Sequence, residues 1–243
     1  MSVPDYFQQA YELLTTGLDH RFELDDDYAM DLVINLPKRD LPDRTDVLEA
    51  AAKAVVGCIV AEDVAADPDY QRAFTTWYTS KIRKISRRAR NIHWERVQEL
   101  TGYTATVGTA QVRAFPPEPV SQTHPLLNKL QIAGTDLEPG RAASPPEFGV
   151  ALYVNAGLAM TVGKITAQVG HGSMLALARM DVETAWRWTE ANFPLSVEEV
   201  DTARFTERAT HPGALVVQDG GFTEIAPGSL TVVALPCGWE AHA

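Results

Sequence analysis

The sequence predicts an α/β fold with a mixed sheet, laid down twice along one chain of 243 residues. Three observations carry this. Short β-branched and aromatic apolar runs alternate with helical segments. A proline- and glycine-rich stretch divides the chain, and sequence features recur on either side of it at an offset of 119 to 120 residues. The dividing stretch, GTDLEPGRAASPPE at 134–147, has three prolines, two glycines and hardly any large apolar residue. It cannot contribute a core and reads as a linker between residues 1–133 and 148–243.

In the C-terminal unit, FGVALYVN at 148–155 has the character of a buried strand. Residues 163 to about 180 read as a helix. Gly170 and Gly172 within it each cost about 1 kcal/mol relative to alanine, which predicts that another backbone or a ligand packs closely there. FPLSVEEV at 193–200 reads as an edge strand and residues 202–210 as a short helix. ALVVQD at 214–219, the Gly220-Gly221 pair and FTEI at 222–225 suggest a strand, a tight turn and a second extended segment. Residues 228–235 read as a last strand, ended by Pro236.

The N-terminal unit repeats parts of this plan. LVIN at 32–35 resembles LYVN at 152–155, Gly108-Thr109 precedes an apolar run as Gly228-Ser229 does, and the Asn-to-Gly separation is 73 residues in each. VQE at 97–99 followed by GYT at 102–104 echoes VQD at 217–219 followed by GFT at 221–223. A helix is expected from Tyr6 to about Thr16, and residues 1–27 carry no further signal.

Apolar residues make up 45% and charged residues 22%, which excludes disordered, collagenous and coiled-coil classes. Cys58 and Cys237, the only cysteines, cannot form a disulfide framework or a zinc knuckle, so a reducing, cytoplasmic setting is expected. The first twenty residues have neither a basic start nor an apolar core, and no segment approaches 18 uninterrupted apolar residues; neither secretion nor membrane spanning is expected. The formal charge of −11 argues against a nucleic-acid partner. Its distribution weakens that argument. Residues 1–80 hold 6 basic and 16 acidic side chains, whereas KIRKISRRARNIHWER at 81–96 holds 7 basic and 1 acidic. A local cationic surface is what a polyanion meets first. This segment is either a solvated helix face whose arginines pair with the acidic first third, or a phosphate-contacting surface presenting Lys81, Arg83, Lys84, Arg87 and Arg88.

Lys164, Gln168 and His171 stand at i, i+4 and i+7, so they share one stripe of the helix that starts near Gly163. An ordinary amphipathic helix keeps leucines on its buried stripe; here a polar set occupies the first two turns of an otherwise apolar helix. A first-turn lysine opposes the helix dipole and asks for an anionic partner. The glycines flanking His171 leave room for something larger than a side chain. A lone buried histidine is most often a satisfied core residue, and it is the stripe that favours a functional reading.

LAMTVGKITAQVGH at 158–171 and VQDGGFTEIAPGSLT at 217–231 resemble the two signature segments of the type 2 peptidyl-tRNA hydrolases. Those segments are a G-K, A-Q, S-H pattern opening the first helix and a D-A-G-R-T-Q-I-A-P-G-T hairpin. The resemblance covers about residues 148–236, with both segments in the family's order and separation. It implies a three-layer, mixed-sheet domain and functional roles for Lys164, His171, Asp219, Thr223 and Thr231, with Gln168 close to them. The chain departs from the pattern at four places. Val162 stands where the family commonly has a second lysine, and Val169-Gly170-His171-Gly172 where it has Cys-Ser-His-Ala. Phe222 and Glu224 replace the hairpin's Arg and Gln, removing one cation and adding one anion beside the implied tRNA path. The C-terminal CGWEAHA is shorter than the family's closing segment.

Family members are typically homodimers, which gives the first unit a meaning. At the repeat offset Arg44 replaces Lys164, Leu48 replaces Gln168 and Ala51 replaces His171, and HPLLNK at 124–129 resembles the family's closing G-H-L-K-L. The expectation is a single-chain pseudo-dimer, with an inactive first copy carrying the basic segment against an active second copy. Further association into a homo-oligomer stays open.

The reaction the resemblance implies is hydrolysis of the ester between a peptide and the 3′ ribose of tRNA. It needs a positioned water, a group to take its proton and donors for the oxyanion. His171 is expected to accept the proton, with Asp219 orienting it or acting in its place; Lys164, Thr223 and Thr231 are expected at the phosphate or the oxyanion. No metal-ligand spacing and no phosphate-cradling glycine loop is present, so no cofactor is implied. The absence of a G-x-S-x-G elbow argues against Ser173 as a nucleophile. Two alternatives stay open: a binding protein or pseudoenzyme that keeps the fold, and a hydrolase of a different acyl ester or amide. Trp186 and Trp188, placed near the end of the 163–180 helix, read as core or interface packing, Cys58 as a buried apolar position, and Asp25–Asp27 as a solvated loop.

Overall fold

A computed structural model describes residues 2–16, 25–221 and 224–241. The N-terminal unit runs α1 (Asp5–Thr16), β1 (Tyr28–Asn35), α2 (Arg44–Val60), α3 (Glu62–Ala65), α4 (Pro68–Tyr78), β2 (Arg83–Ala89), α5 (Ile92–Val97), β3 (Tyr103–Val107), β4 (Ala110–Ala114), β5 (Glu118–Pro119) and α6 (Pro125–Asn128). The C-terminal unit runs β6 (Gly149–Asn155), α7 (Val162–Leu177), α8 (Val182–Glu190), β7 (Leu195–Val200), α9 (Thr202–Ala209), β8 (Leu215–Gln218) and β9 (Leu230–Cys237).

The expected α/β architecture with mixed sheets is what forms. The first sheet has the order β2-β1-β4-β3, with β5 beside β1, and the second has the order β7-β6-β9-β8. In each, the first two strands are parallel and the remaining pairs antiparallel. The parallel pairs require crossovers, supplied by α2–α4 and by α7–α8. Register agrees in detail: Leu32 pairs with Ala114 and Leu152 with Ala234, Ile34 with Val112 and Val154 with Val232, a displacement of 120 on both strands.

Strand alternation builds the layers. Met30, Leu32 and Ile34 of β1 and Val150, Leu152 and Val154 of β6 face one shared inner core. Val33 faces an outer cluster with Val97 and Leu127, while Ala151 and Tyr153 face another with Phe205 of α9. The inner core is filled by α2 and α7, which make the most extensive contact between any two elements, and each reaches across to the other unit: α7 onto β2, and α2 onto β7. Small residues permit this approach. Ser173 of α7 donates to the carbonyl of Ala52 at 2.8 Å, and Ala50, Ala51, Ala52 and Ala54 are fully buried.

Several expectations need correction. The helix expected over 163–180 ends at Leu177, because Asp181 caps a new helix, its carboxylate accepting from Thr184 N–H at 2.7 Å. Trp186 and Trp188 therefore lie on α8. Trp186 packs edge-on against Phe7 of α1 and Trp188 against Phe193. Gly170 and Gly172 pack against neighbouring side chains, Val55 of α2 and Lys84 at the first and Leu152 and Val232 at the second. Glu224 and Ile225 form a bend, so the extended segment expected over 222–225 does not form there, and Phe222 lies outside the described residues. β9 continues through Pro236 to Cys237 because β8 begins only opposite Ala234, leaving no ladder bond for the missing N–H on that side.

The third sequence echo is misplaced. Residues 97–99 close α5, whereas the strand that pairs with β4 as β8 pairs with β9 is β3, with Ala105 opposite Val112 as Val217 is opposite Val232. The basic stretch is neither a helix nor one face, since its first half is β2. The stretch expected as a linker has no helix or strand, yet it is docked: Arg44 Nη1 donates to the Leu137 carbonyl at 3.3 Å, and Arg141 pairs with Asp46 at 2.7 Å and Glu49 at 2.6 Å.

Candidate active site

α7 lies across β9, β8 and β6 on the inner face, so its first turns meet the chain as it leaves β8. Thr161 starts α7, its hydroxyl accepting from Lys164 N–H at 3.2 Å. At the other side a register irregularity between Val217 and Gln218 ends β8, and Asp219 follows. Asp219 is fixed by its own backbone, donating to the Ser229 carbonyl at 2.9 Å and accepting from Gly228 N–H at 2.8 Å. Gly221 N–H donates to Asp219 Oδ1 at 2.8 Å. Gly221 has φ of +77°, and a Cβ there would come within 2.4 Å of Pro227, so only glycine closes this turn.

Four of the expected residues are brought into one hydrogen-bonded chain. Lys164 Nζ lies 2.5 Å from Asp219 Oδ2, both side chains being 10% exposed or less. Gln168 Nε2 donates to the same oxygen at 2.8 Å, and Thr231 Oγ1 donates to Gln168 Oε1 at 2.6 Å. The threonine thereby fixes which way the Gln168 amide points. The anionic partner that a first-turn lysine asks for is Asp219. Thr223 lies outside the described residues.

His171 sits two turns along α7 from Lys164, where a side chain of the first unit stands beside it. Its Nδ1 lies 3.0 Å from Lys84 Nζ of β2, while the Asp219 carboxylate is engaged by Lys164, Gln168 and Gly221. The sequence placed Lys84 only among phosphate contacts; the glycines beside His171 were the one signal that something bulky had to fit there.

The other basic residues divide by strand alternation. Arg87 Nε donates to Asp31 Oδ1 at 2.5 Å with side-chain exposures of 4% and 2%. Arg87 is thus enclosed with Asp31 and is not presented at the surface, in contrast to the phosphate-contacting position expected for it. Lys81 and Arg83 pair with Asp27 at 2.9 and 3.5 Å at partly exposed positions, and Arg88 Nη2 donates to Gln131 at 2.5 Å. The pairing with the acidic first third is thus realised for Lys81, Arg83 and Arg87, on a strand and not on a helix face.

Glu224, the added anion, is used internally. It accepts from the Thr161 hydroxyl at 2.6 Å and the Thr161 N–H at 3.0 Å, which ties the hairpin to the start of α7. At the corresponding positions of the first unit, Arg44 makes a two-pronged pair with Glu199 of β7 at 2.7 and 2.6 Å, and Leu48 and Ala51 are buried. No group of three His, Cys, Asp or Glu among the described residues could hold a metal ion, and no helix among them is long and apolar enough to cross a membrane.

The ordered chain from Lys164 to Thr231 is built from the two segments on which the family resemblance rests, and comparison with known proteins agrees. Residues 148–241 match the family model of peptidyl-tRNA hydrolase PTH2. The PTH2 resemblance of the C-terminal unit is thereby shown. Peptidyl-tRNA hydrolase 2, mitochondrial, of Bos taurus is 31% identical over 110 residues, covering 42% of this chain and 62% of that protein. The chain thus spans less than two thirds of that relative's length. Its mitochondrial designation gives no support to the cytoplasmic setting expected from composition. The PTH2 match does not extend over the N-terminal unit.

Proposed function

We propose that this chain hydrolyses the ester linking a peptide's C-terminal carbonyl to the 3′ ribose of tRNA, at the polar cluster of its C-terminal unit. The observation that carries the reading is the hydrogen-bonded chain Lys164–Asp219–Gln168–Thr231 within the segment that resembles PTH2. Residues 1–133 are read as a degenerate copy standing where a second subunit would, joined by 134–147 to the catalytic unit at 148–243. The common strand order, the register displacement of 120 and the reciprocal packing of α7 on β2 and α2 on β7 support that reading.

The division of labour follows from the bonding. Lys164 is an ammonium pre-placed by Asp219, so it meets the developing oxyanion, or a phosphate of the tRNA end, without having to be recruited. Gln168, turned by Thr231, sends its amide N–H into the same place. A carboxylate offers about four acceptor positions, and Asp219 already receives three donors, which suits it to holding Lys164. The water's proton then falls to His171, since an imidazole titrates near neutrality. Thr223 completes the set as a hydroxyl donor carried over from the family motif.

The test is peptide release from a defined peptidyl-tRNA by the purified chain, measured beside binding of deacylated tRNA at low and moderate salt. Turnover with tRNA affinity that falls as salt rises is expected. Binding without release would favour the pseudoenzyme, and release without salt-dependent tRNA affinity a hydrolase of smaller esters. One observation favours the pseudoenzyme: the Glu224 carboxylate occupies the start of α7, where a substrate anion would be welcome. Glu224→Gln restores the residue type of the family motif and removes that charge. It is expected to tighten tRNA binding roughly 2- to 5-fold at low salt and less at high salt, read by filter binding.

A further inference from the structure

We propose that Lys84, supplied by the N-terminal unit, is a positioning residue that sets the orientation and protonation of His171 in the C-terminal site. This deepens the hydrolase reading and rests on it. In the parallel register of the first sheet, Lys84 stands beside Met30 of the inner core, whereas Arg87 turns to the outer face with Asp31. Lys84 therefore points across the unit boundary at α7. Beside Gly170 the lysine stem runs along α7: a Cβ there would be in ordinary contact with Lys84 Cε at 3.4 Å, while the tight neighbour, at 2.7 Å, is Val55. The chain thus departs from the family's serine at this position and sets a lysine stem against the bare helix. The stem carries Nζ to within 3.0 Å of His171 Nδ1, and the ring of Trp77 lies 4.9 Å from Nζ on another side.

Two bases this close hold one proton between them far more readily than two. With Nδ1 facing Lys84 Nζ, Nε2 is the nitrogen this proposal assigns to the proton that His171 exchanges during turnover. Burial pushes the Lys84 amine well below the ordinary lysine range, in keeping with a pair that carries at most one charge. Of the elements packed against α7, α1 carries Asp5 and Glu12, the latter accepting from Gln8 at 2.8 Å, and charged groups on the others have partners of their own. On β2, Arg83, Arg87 and Arg88 are held by Asp27, Asp31 and Gln131. On α2, Arg44 is held by Glu199, Asp46 and Glu49 by Arg141, and Lys53 by the Asn192 carbonyl. Beyond β8, Asp219 is held by Lys164.

The experiment compares the full chain with Lys84→Met and, as a polar second variant, Lys84→Gln. Two readouts are taken: the NMR titration of the His171 ring, and the pH profile of peptide release from a defined peptidyl-tRNA. Removing a basic neighbour makes the imidazolium easier to form. The His171 pKa is expected to rise by about one unit or more, and the acid limb of kcat/KM to move up with it. kcat should fall about 10-fold, with KM and the salt dependence of tRNA binding unchanged. Lys84→Met combined with His171→Ala should be no slower than His171→Ala alone. An unmoved titration in both variants overturns the proposal, as does a loss that appears as weaker tRNA binding with a shallower salt slope, the mark of a phosphate contact. The ring titration needs no turnover. If the wild-type chain releases no peptide while the titration shifts, the pairing stands and the hydrolase reading is what fails.

Discussion

Replacing Asp219 by alanine is expected to lower kcat/KM for peptidyl-tRNA by about 100-fold or more, the scale of a lost acid-base or electrostatic group. The carboxylate holds the Lys164 ammonium at 2.5 Å, takes the Gln168 amide at 2.8 Å and closes its own turn through Gly221 N–H. Without it a nearly buried ammonium is left unbalanced, at a cost of ~3–5 kcal/mol. Loss of activity and loss of stability are separated by Asp219→Asn. The amide keeps the shape and can still accept from Gly221 N–H, so its unfolding midpoint should lie above that of the alanine variant, though below wild type because Lys164 is still unbalanced. It cannot balance Lys164, so turnover should fall almost as far as in the alanine variant. Denaturant unfolding monitored by tryptophan fluorescence, taken with single-turnover release, reads both effects.

Arg87→Met is expected to destabilise the protein by ~3–5 kcal/mol without changing the salt dependence of tRNA binding. Arg87 and Asp31 are enclosed together, and the methionine would strand a buried carboxylate. Burial already raises the Asp31 pKa, with the Arg87 charge pulling it back down. In the variant that pull is gone and the folded-state pKa rises further. An acid whose folded pKa lies above its unfolded value stabilises the native state most below the unfolded pKa, and that contribution is lost as pH rises through the folded one. The gap between wild type and variant should therefore be widest near neutrality and narrow towards pH 4. Asp31→Leu combined with Arg87→Met should recover much of the loss, because no charge is left unpaired.

What was legible in the sequence was what depends on local pattern. LVIN and LYVN marked β1 and β6 because buried parallel strands are apolar on both faces. Lys164, Gln168 and His171 fell on one stripe because helical spacing is fixed. The break at Asp181 was missed because the apolar pattern runs on through Met180 while a capping aspartate silently starts a new helix. The third repeat echo failed because VQE and VQD are alike in composition, whereas the register that equates Ala105 with Val217 is set by pairing with β4 and β9. Contacts across the unit boundary could not be read at all. A basic run gives no sign that Arg87 will be buried against Asp31 while Lys84 turns to His171. That follows only once β2 is known to be a strand with α7 laid over it.

The most direct test sets single-turnover peptide release by the full chain beside Lys164→Met and Arg44→Met, the same change at matching positions of the two units. Arg44 is engaged by Glu199 across the boundary and lies outside the proposed site. The expected result is release by the wild type, a fall of about 100-fold or more in Lys164→Met, and a rate near wild type in folded Arg44→Met. Absence of release by the wild type, or equal losses in the two variants, would contradict a single hydrolytic site built on Lys164 and Asp219.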